Sequence, residues 1–408
     1  MTSGHVERGF EPLARELERQ IHKLGGGAAL CVYHDGACLV DLWGGVRDDA
    51  GTPWARDTMC VSFSTTKGVA STALHVLADR GQLDYDAPVA RYWPEFARAG
   101  KERITVREVL CHRAGLHDVR GLIDDAKRLL EWDTMVDALA AARPAPPPPG
   151  ASAYHALTYG HLVGELVRRI SGRPLPAFVA EEIAGPLGLD GLFVGAPEAE
   201  LARAARLLGK KGAPREQAEG APRRAAARRR RAAFGMIERV LRLVGHPFEV
   251  RRVEEALAPR GIARLDFSSP EVLRACIPSA NGLFTARSLA RMYAALACDG
   301  SLDGVRLVRP ETVRRATEVQ VHGFDQVIVF KMRWRLGYHR IGTFRGVPRL
   351  AFGHFGWGGS GAWADPARRL ALGYVVNAGS GTPIGDLRIL RLNTILLECL
   401  RKHRARRG

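Results

Sequence analysis

Alternating apolar segments near the start of this 408-residue chain and a β-rich stretch near its end enclose a middle with helical spacing. Near the start, residues 28–33 and 37–43 alternate on either side of a His34-Asp35-Gly36 turn, the pattern of a β-hairpin. Near the end, residues 353–356, 360–364 and 370–376 read as strands, and a helix over 385–400 closes the chain. The economical solution is one antiparallel sheet assembled from both chain ends, flanked by helices, with a helical domain inserted in the middle: an α+β fold. On this reading residues 1–62 and 320–408 form the sheet domain and residues 63–319 the mostly helical one.

Local signals fill in the elements. Phe10, Leu13, Leu17 and Ile21 recur every three to four residues and predict a helix over residues 1–23. Thr105, with Glu108 three residues on, predicts a capping box at a helix start. Leu162, Val163, Leu166, Val167 and Ile170 line the apolar face of another helix, which Gly172 stops. Before it, residues 144–150 form a stiff, extended proline run that delivers Tyr154. Residues 196–262 are rich in Arg and Ala and poor in aromatic residues, and read as an insertion.

Composition narrows the function. Sixty Lys and Arg residues against 43 Asp and Glu give a net charge of +17, which suggests nucleic acid first. The excess is uneven, however. Arg223, Arg224, Arg228, Arg229, Arg230 and Arg231 crowd one segment, and residues 401–408 carry another basic tract. No aromatic residues interleave the arginines for base stacking, which argues against nucleic acid. Phe234, Ile237, Val240, Leu241 and Val244 predict a short amphipathic helix with Arg239 and Arg242 opposite. The 223–244 segment therefore reads as solvated surface or as a peripheral contact with an anionic membrane. No run of about 18 apolar residues predicts a spanning helix, and the start has no apolar signal core, so a cytoplasmic location is expected. Cys31, Cys38, Cys60, Cys111, Cys276, Cys298 and Cys399 are scattered with no C-x-x-C, as in reduced, mostly buried thiols. With no H-E-x-x-H either, no metal or other cofactor is expected.

The chemistry centres on Ser64-Thr65-Thr66-Lys67, followed by Val69, Ala70, Ala73, Leu74 and Leu77 at helical spacing. Positions three apart lie one turn apart on one helix face, which puts the Ser64 hydroxyl beside the Lys67 amine. The exposed N–H groups and positive dipole end of a helix start favour loss of the lysine proton there. A serine beside a neutral amine is a route to a nucleophile. Alone, S-x-x-K is more often a solvated Ser and Lys on an ordinary helix. Its context is Tyr154 after the proline run and His354-Phe355-Gly356 before a late strand, with Gly358 and Gly359 leaving a strand edge open to substrate. No G-x-S-x-G occurs, which excludes the α/β-hydrolase pattern.

These motifs, in this order, resemble the serine β-lactamase and penicillin-binding-protein superfamily, nearest its class C-like carboxylesterase branch, the family VIII esterases. Gly81-Gln82-Leu83-Asp84, the Leu110-Cys111-His112-Arg113-Ala114-Gly115-Leu116 turn and Gly373-Tyr374-Val375-Val376-Asn377 extend the likeness over nearly the whole chain, less the Arg-rich insertion. The resemblance implies a β-lactamase/transpeptidase-like fold and a small-molecule ester substrate. It makes Ser64 the acylated nucleophile, Lys67 the amine that takes its proton and Tyr154 the general base and acid. The backbone N–H groups of Ser64 and Trp357 would form the oxyanion hole, and His354, Phe355, Gly356 and Gly358 would border the substrate. Two departures favour a neutral ester over a charged lactam. Ala156 stands where the β-lactamases have an Asn, and His354, partly charged near neutral pH, replaces a permanent lysine cation. A β-lactamase, a D-Ala-D-Ala peptidase or an acyltransferase on the same fold is the alternative. A non-catalytic protein acting through the basic insertion is the alternative of another class.

Overall fold

Four elements open the chain: β1 (Thr2–Val6), α1 (Glu11–Leu24), β2 (Ala28–His34) and β3 (Ala37–Gly44). They belong to a computed structural model that describes residues 2–209, 238–239, 243, 248–328, 330–379, 382 and 385–405. The hairpin of β2 and β3 forms as predicted. Asp35 and Gly36 take φ of +50° and +81°, the pair of positive values that a two-residue turn needs to match strand twist. The helix expected over residues 1–23 is shorter, because residues 2–6 instead pair with β3 as an edge strand.

Six more strands come from the second half: β4 (Val321–Phe324), β5 (Lys331–Trp334), β6 (His339–Arg340), β7 (Phe352–Phe355), β8 (Gly361–Asp365) and β9 (Leu370–Val376). These nine strands form one antiparallel sheet in the order β1-β3-β2-β9-β8-β7-β6-β5-β4. The two chain ends meet where β2 pairs with β9, from Ala28 opposite Val376 to His34 opposite Leu370. The sheet is therefore built from both ends of the chain, as the strand-like segments at each end predict. Strands β4 to β6 are an addition that no alternation marked.

Side chains leave a strand on alternate faces, so each strand feeds two cores. Leu30, Val32, Leu372 and Tyr374 pack against Leu13 and Leu17 of α1 and against Leu392 and Leu396 of α6 (Leu387–Ala405). Cys31, Tyr33, Ala371 and Val375 face the larger core, which includes α2 (Thr66–Asp79), α4 (Thr158–Ser171) and α5 (Ala286–Ala297). Every residue of α2 from Thr66 to Leu77 is buried, which makes it the central helix of that core. The short helix α3 (Val106–Leu110) carries the predicted capping box, with Thr105 Oγ1 accepting the Glu108 N–H and the Glu108 carboxylate accepting the Thr105 N–H.

Both flanks of the 196–262 stretch belong to the folded body. The Met59 N–H donates to Arg203 O at 2.9 Å, and the Leu208 N–H to Asn377 O at 2.7 Å. On the far side, Glu254 in the helix Val250–Leu257 pairs with Arg120 at 3.7 Å. The amphipathic helix expected over 223–244 lies outside the described residues, apart from Glu238, Arg239 and Leu243. Among the described residues, no helix is long and apolar enough to cross a membrane.

Candidate active site

Ser64 stands in a 3₁₀ turn, Phe63–Thr65, that leads straight into α2, and Lys67 is in the first α-helical turn. The chain enters this turn through Phe63 at φ +45°, a left-handed conformation that costs a phenylalanine about 1–3 kcal/mol. The Lys67 Nζ lies 2.9 Å from Ser64 Oγ, so the predicted pairing is formed.

Lys67 is fully buried, and its Nζ has two further partners, Ala156 O at 2.7 Å and Ser279 O at 3.0 Å. Carbonyls can only accept, so both take a hydrogen from Nζ. A neutral amine then has its two hydrogens committed and its lone pair directed at the third partner, the Ser64 hydroxyl. Burial holds the Lys67 pKa well below that of an ordinary lysine. Desolvation thus does what the sequence reading ascribed to the helix end.

Tyr154 is also fully buried, and its ring centroid lies 5.0 Å from Lys67 Nζ. Burial raises its pKa, and a hydrogen-bonding interaction with Ser64 partly opposes the rise. The Tyr154 hydroxyl is close enough to Ser64 to feel it but completes no hydrogen bond in this conformation. In the loop before α4, the successive amides of residues 152–155 are anchored alternately to two segments. The Ser152 and Tyr154 N–H groups donate to Phe324 O and Asp325 Oδ1, each at 3.2 Å. The Ala153 and His155 N–H groups donate to His112 O at 2.9 Å and His112 Nδ1 at 3.1 Å. His112, itself at φ +59°, packs its ring 4.8 Å from that of Tyr154. Burial keeps this imidazole neutral.

Strand β7 forms the opposite wall. His354 stacks near Tyr154, with ring centroids 6.4 Å apart, and its Nδ1 is 3.0 Å from Phe355 O. Burial pushes its pKa well below that of an ordinary histidine, so His354 is neutral rather than partly charged. The Phe355 ring does not line the cleft. It lies on the other face of the sheet, in the core shared with Trp363 and Ile389, because the pleat alternates and His354 takes the cleft side. Gly356 closes the approach: a Cβ there would sit 2.0 Å from Ser62 O and 3.1 Å from Phe63 Cβ. A Cβ on Gly358 would touch the Phe63 ring at 3.6 Å, so residue 357 is bracketed by contacts with the nucleophile turn. Trp357 is 39% exposed, at the mouth. Gly358 and Gly359 have φ of +104° and +108°, and Arg388 ties this loop down through Gly358 O and through Ala378 O at 2.9 Å.

Ser64, Lys67, Tyr154 and His354 thus converge, with the backbone of 356–358 beside them. Ser279, His112, Asp325, Trp334 and Arg388 also hold the site, and the sequence reading gave them no role there.

The Beta-lactamase family model matches residues 15–393. The chain is 40% identical over 355 residues to the Esterase/beta-lactamase LipL of Mycobacterium tuberculosis, an alignment covering 86% of this chain and 77% of that protein. A solved family VIII carboxylesterase superposes with a TM-score of 0.83 at 32% identity, covering 98% of this chain and 100% of that one. A penicillin-binding protein homolog from Caulobacter crescentus gives 0.82 at 35% identity, with coverage of 98% and 100%. The chain belongs to the beta-lactamase family and is a serine hydrolase of the β-lactamase/transpeptidase-like fold.

Proposed function

We propose that the enzyme is a carboxylesterase that cleaves short or medium acyl esters of small molecules through an acyl-Ser64 intermediate. The observation that carries this reading is the Lys67 amine, with two carbonyls holding its hydrogens and Ser64 Oγ 2.9 Å from it. Ser64 Oγ attacks the ester carbonyl as its proton passes to Lys67. The backbone N–H groups of Ser64 and Trp357 hold the oxyanion, each worth about 3–4 kcal/mol of transition-state stabilisation. Tyr154 gives its hydroxyl proton to the departing alcohol and is reprotonated from Lys67, so both groups end neutral. Water then replaces the alcohol, and the same relay runs in reverse to release the acid. His354, Gly356 and Gly358 border the bound ester.

An ester is favoured over a lactam because the neutral His354 supplies no fixed cation for a carboxylate. Ala156 supplies no side-chain amide for a lactam either. Relatives named as an esterase/β-lactamase and as a family VIII carboxylesterase support the same choice. The test is a panel of p-nitrophenyl esters and a chromogenic cephalosporin with wild type and Tyr154→Phe. Wild type should give an ester burst, and Tyr154→Phe should lose roughly 10²–10⁴-fold in kcat. Faster cephalosporin than ester turnover by wild type would move the assignment to a β-lactamase.

A further inference from the structure

We propose that Asp325 is a positioning residue for Tyr154, holding its backbone and its ring platform together and setting a carboxylate against its amide. The inference rests on the role given to Tyr154 above. Asp325 follows β4 and is fully buried. Its Oδ1 accepts the N–H groups of Tyr154 at 3.2 Å, Val327 at 2.9 Å and Ile328 at 2.9 Å. Its Oδ2 accepts the Ser152 hydroxyl at 2.7 Å. Ser152 Oγ in turn accepts the indole N–H of Trp334 at 2.8 Å. That indole lies on the Tyr154 ring, with centroids 5.6 Å apart and planes within 6°. One carboxylate therefore fixes Tyr154 twice: directly at its amide, and through Ser152 and Trp334 at its ring.

All four partners of Asp325 are donors. A protonated carboxyl could give its hydrogen only to the Ser152 hydroxyl, which would then have to turn its own hydrogen away, so the arrangement as it stands suits the ionised form. Burial pulls the other way and raises the Asp325 pKa. An anion held only by neutral dipoles is expensive, and an amide of the same shape would satisfy the backbone at lower cost. The charge therefore asks for a reason, which Tyr154 supplies. The groups facing the phenol are Lys67 on α2, His112 after α3, Tyr159 on α4 and His354 on β7, and burial holds all four uncharged. Burial is the main cause that raises the Tyr154 pKa, and the ionised Asp325 adds to it by opposing loss of the phenol proton. It thereby keeps Tyr154 a donor for the leaving alcohol.

The test is Asp325→Asn, read by ¹³Cζ-tyrosine NMR titration, with the Tyr154 resonance identified by its loss in Tyr154→Phe. The phenol should ionise at lower pH in Asp325→Asn than in wild type. The alkaline limb of kcat should move down with it, and kcat should fall about 10-fold to 100-fold with KM nearly unchanged. A Tyr154 titration identical to wild type, even with a lower melting temperature, would reduce Asp325 to a fold clamp and overturn the proposal. If Asp325→Asn does not fold, Ser152→Ala cuts the link to Trp334 while keeping the charge. It should lower kcat with no change in the titration, and an unchanged kcat would overturn the proposal. The titration needs no substrate. A wild type idle on esters would sink the esterase reading alone, and the NMR shift would still decide on Asp325.

Discussion

Lys67→Met is expected to lower kcat/KM for a p-nitrophenyl ester by roughly 10³–10⁴-fold, because it removes the amine that takes the Ser64 proton in the proposed mechanism. Nζ is 2.9 Å from Ser64 Oγ, and a methionine sulfur is no base at that position. The wild-type pH profile follows from the same group. In the proposed mechanism Lys67 works as the neutral amine, so activity should rise as pH passes upward through its depressed pKa and fall away on the acid side. Stability follows with a definite sign. Between that depressed value and 10.5, the unfolded chain carries a proton on Lys67 that the folded chain lacks. Raising pH across this window therefore stabilises the fold, and below the folded value the penalty is complete. Lys67→Met should flatten this slope in urea melts across the window. It should also cost stability throughout, because Ala156 O and Ser279 O each lose a buried partner at about 1–3 kcal/mol.

Gly356→Ala is expected to damage both fold and turnover. The added Cβ would meet Ser62 O at 2.0 Å and Ser62 C at 2.9 Å, both backbone atoms on the entry to the nucleophile turn. No side-chain rotation relieves such a contact. Strand β7 or the Phe63–Thr65 turn must move. Overpacking of this kind costs about 1–3 kcal/mol, and displacement of the site by about 1 Å costs about 100-fold in kcat. Thermal melting and ester kinetics on the purified variant check both. A variant with wild-type melting and kcat would show that the β7 end and Ser64 are not coupled.

Much of the sheet was legible because its inner strands are short apolar runs bounded by turns, buried along nearly their whole length. β9 runs from Leu370 to Val376 as the sequence predicts, and the Asp35-Gly36 turn announces the hairpin. The outer strands were not legible. Thr2–Val6 has no apolar period and lies mostly exposed at an edge, so pairing with β3 rather than side-chain pattern defines it. Val321–Phe324 and Lys331–Trp334 are four residues each and mix charge with bulk, too short for a period to emerge. Their illegibility hid Asp325 and Trp334, whose importance lies in what they touch across about 180 residues of chain. Phe355 is a different case. Once His354 is assigned to the cleft, the pleat alone sends the next side chain to the far face, and the sequence reading did not apply that rule. The convergence of Ser64, Lys67 and Tyr154 was readable from motif order, but the neutral state of Lys67 depends on burial, which no four-residue motif encodes.

The most direct measurement is the intact mass of the enzyme quenched during turnover of p-nitrophenyl butyrate, with peptide mapping of any adduct. The account predicts a butyryl group on Ser64, absent from Ser64→Ala, which should also lose turnover. Full turnover by Ser64→Ala, or an acyl group mapped to any other residue, would contradict it.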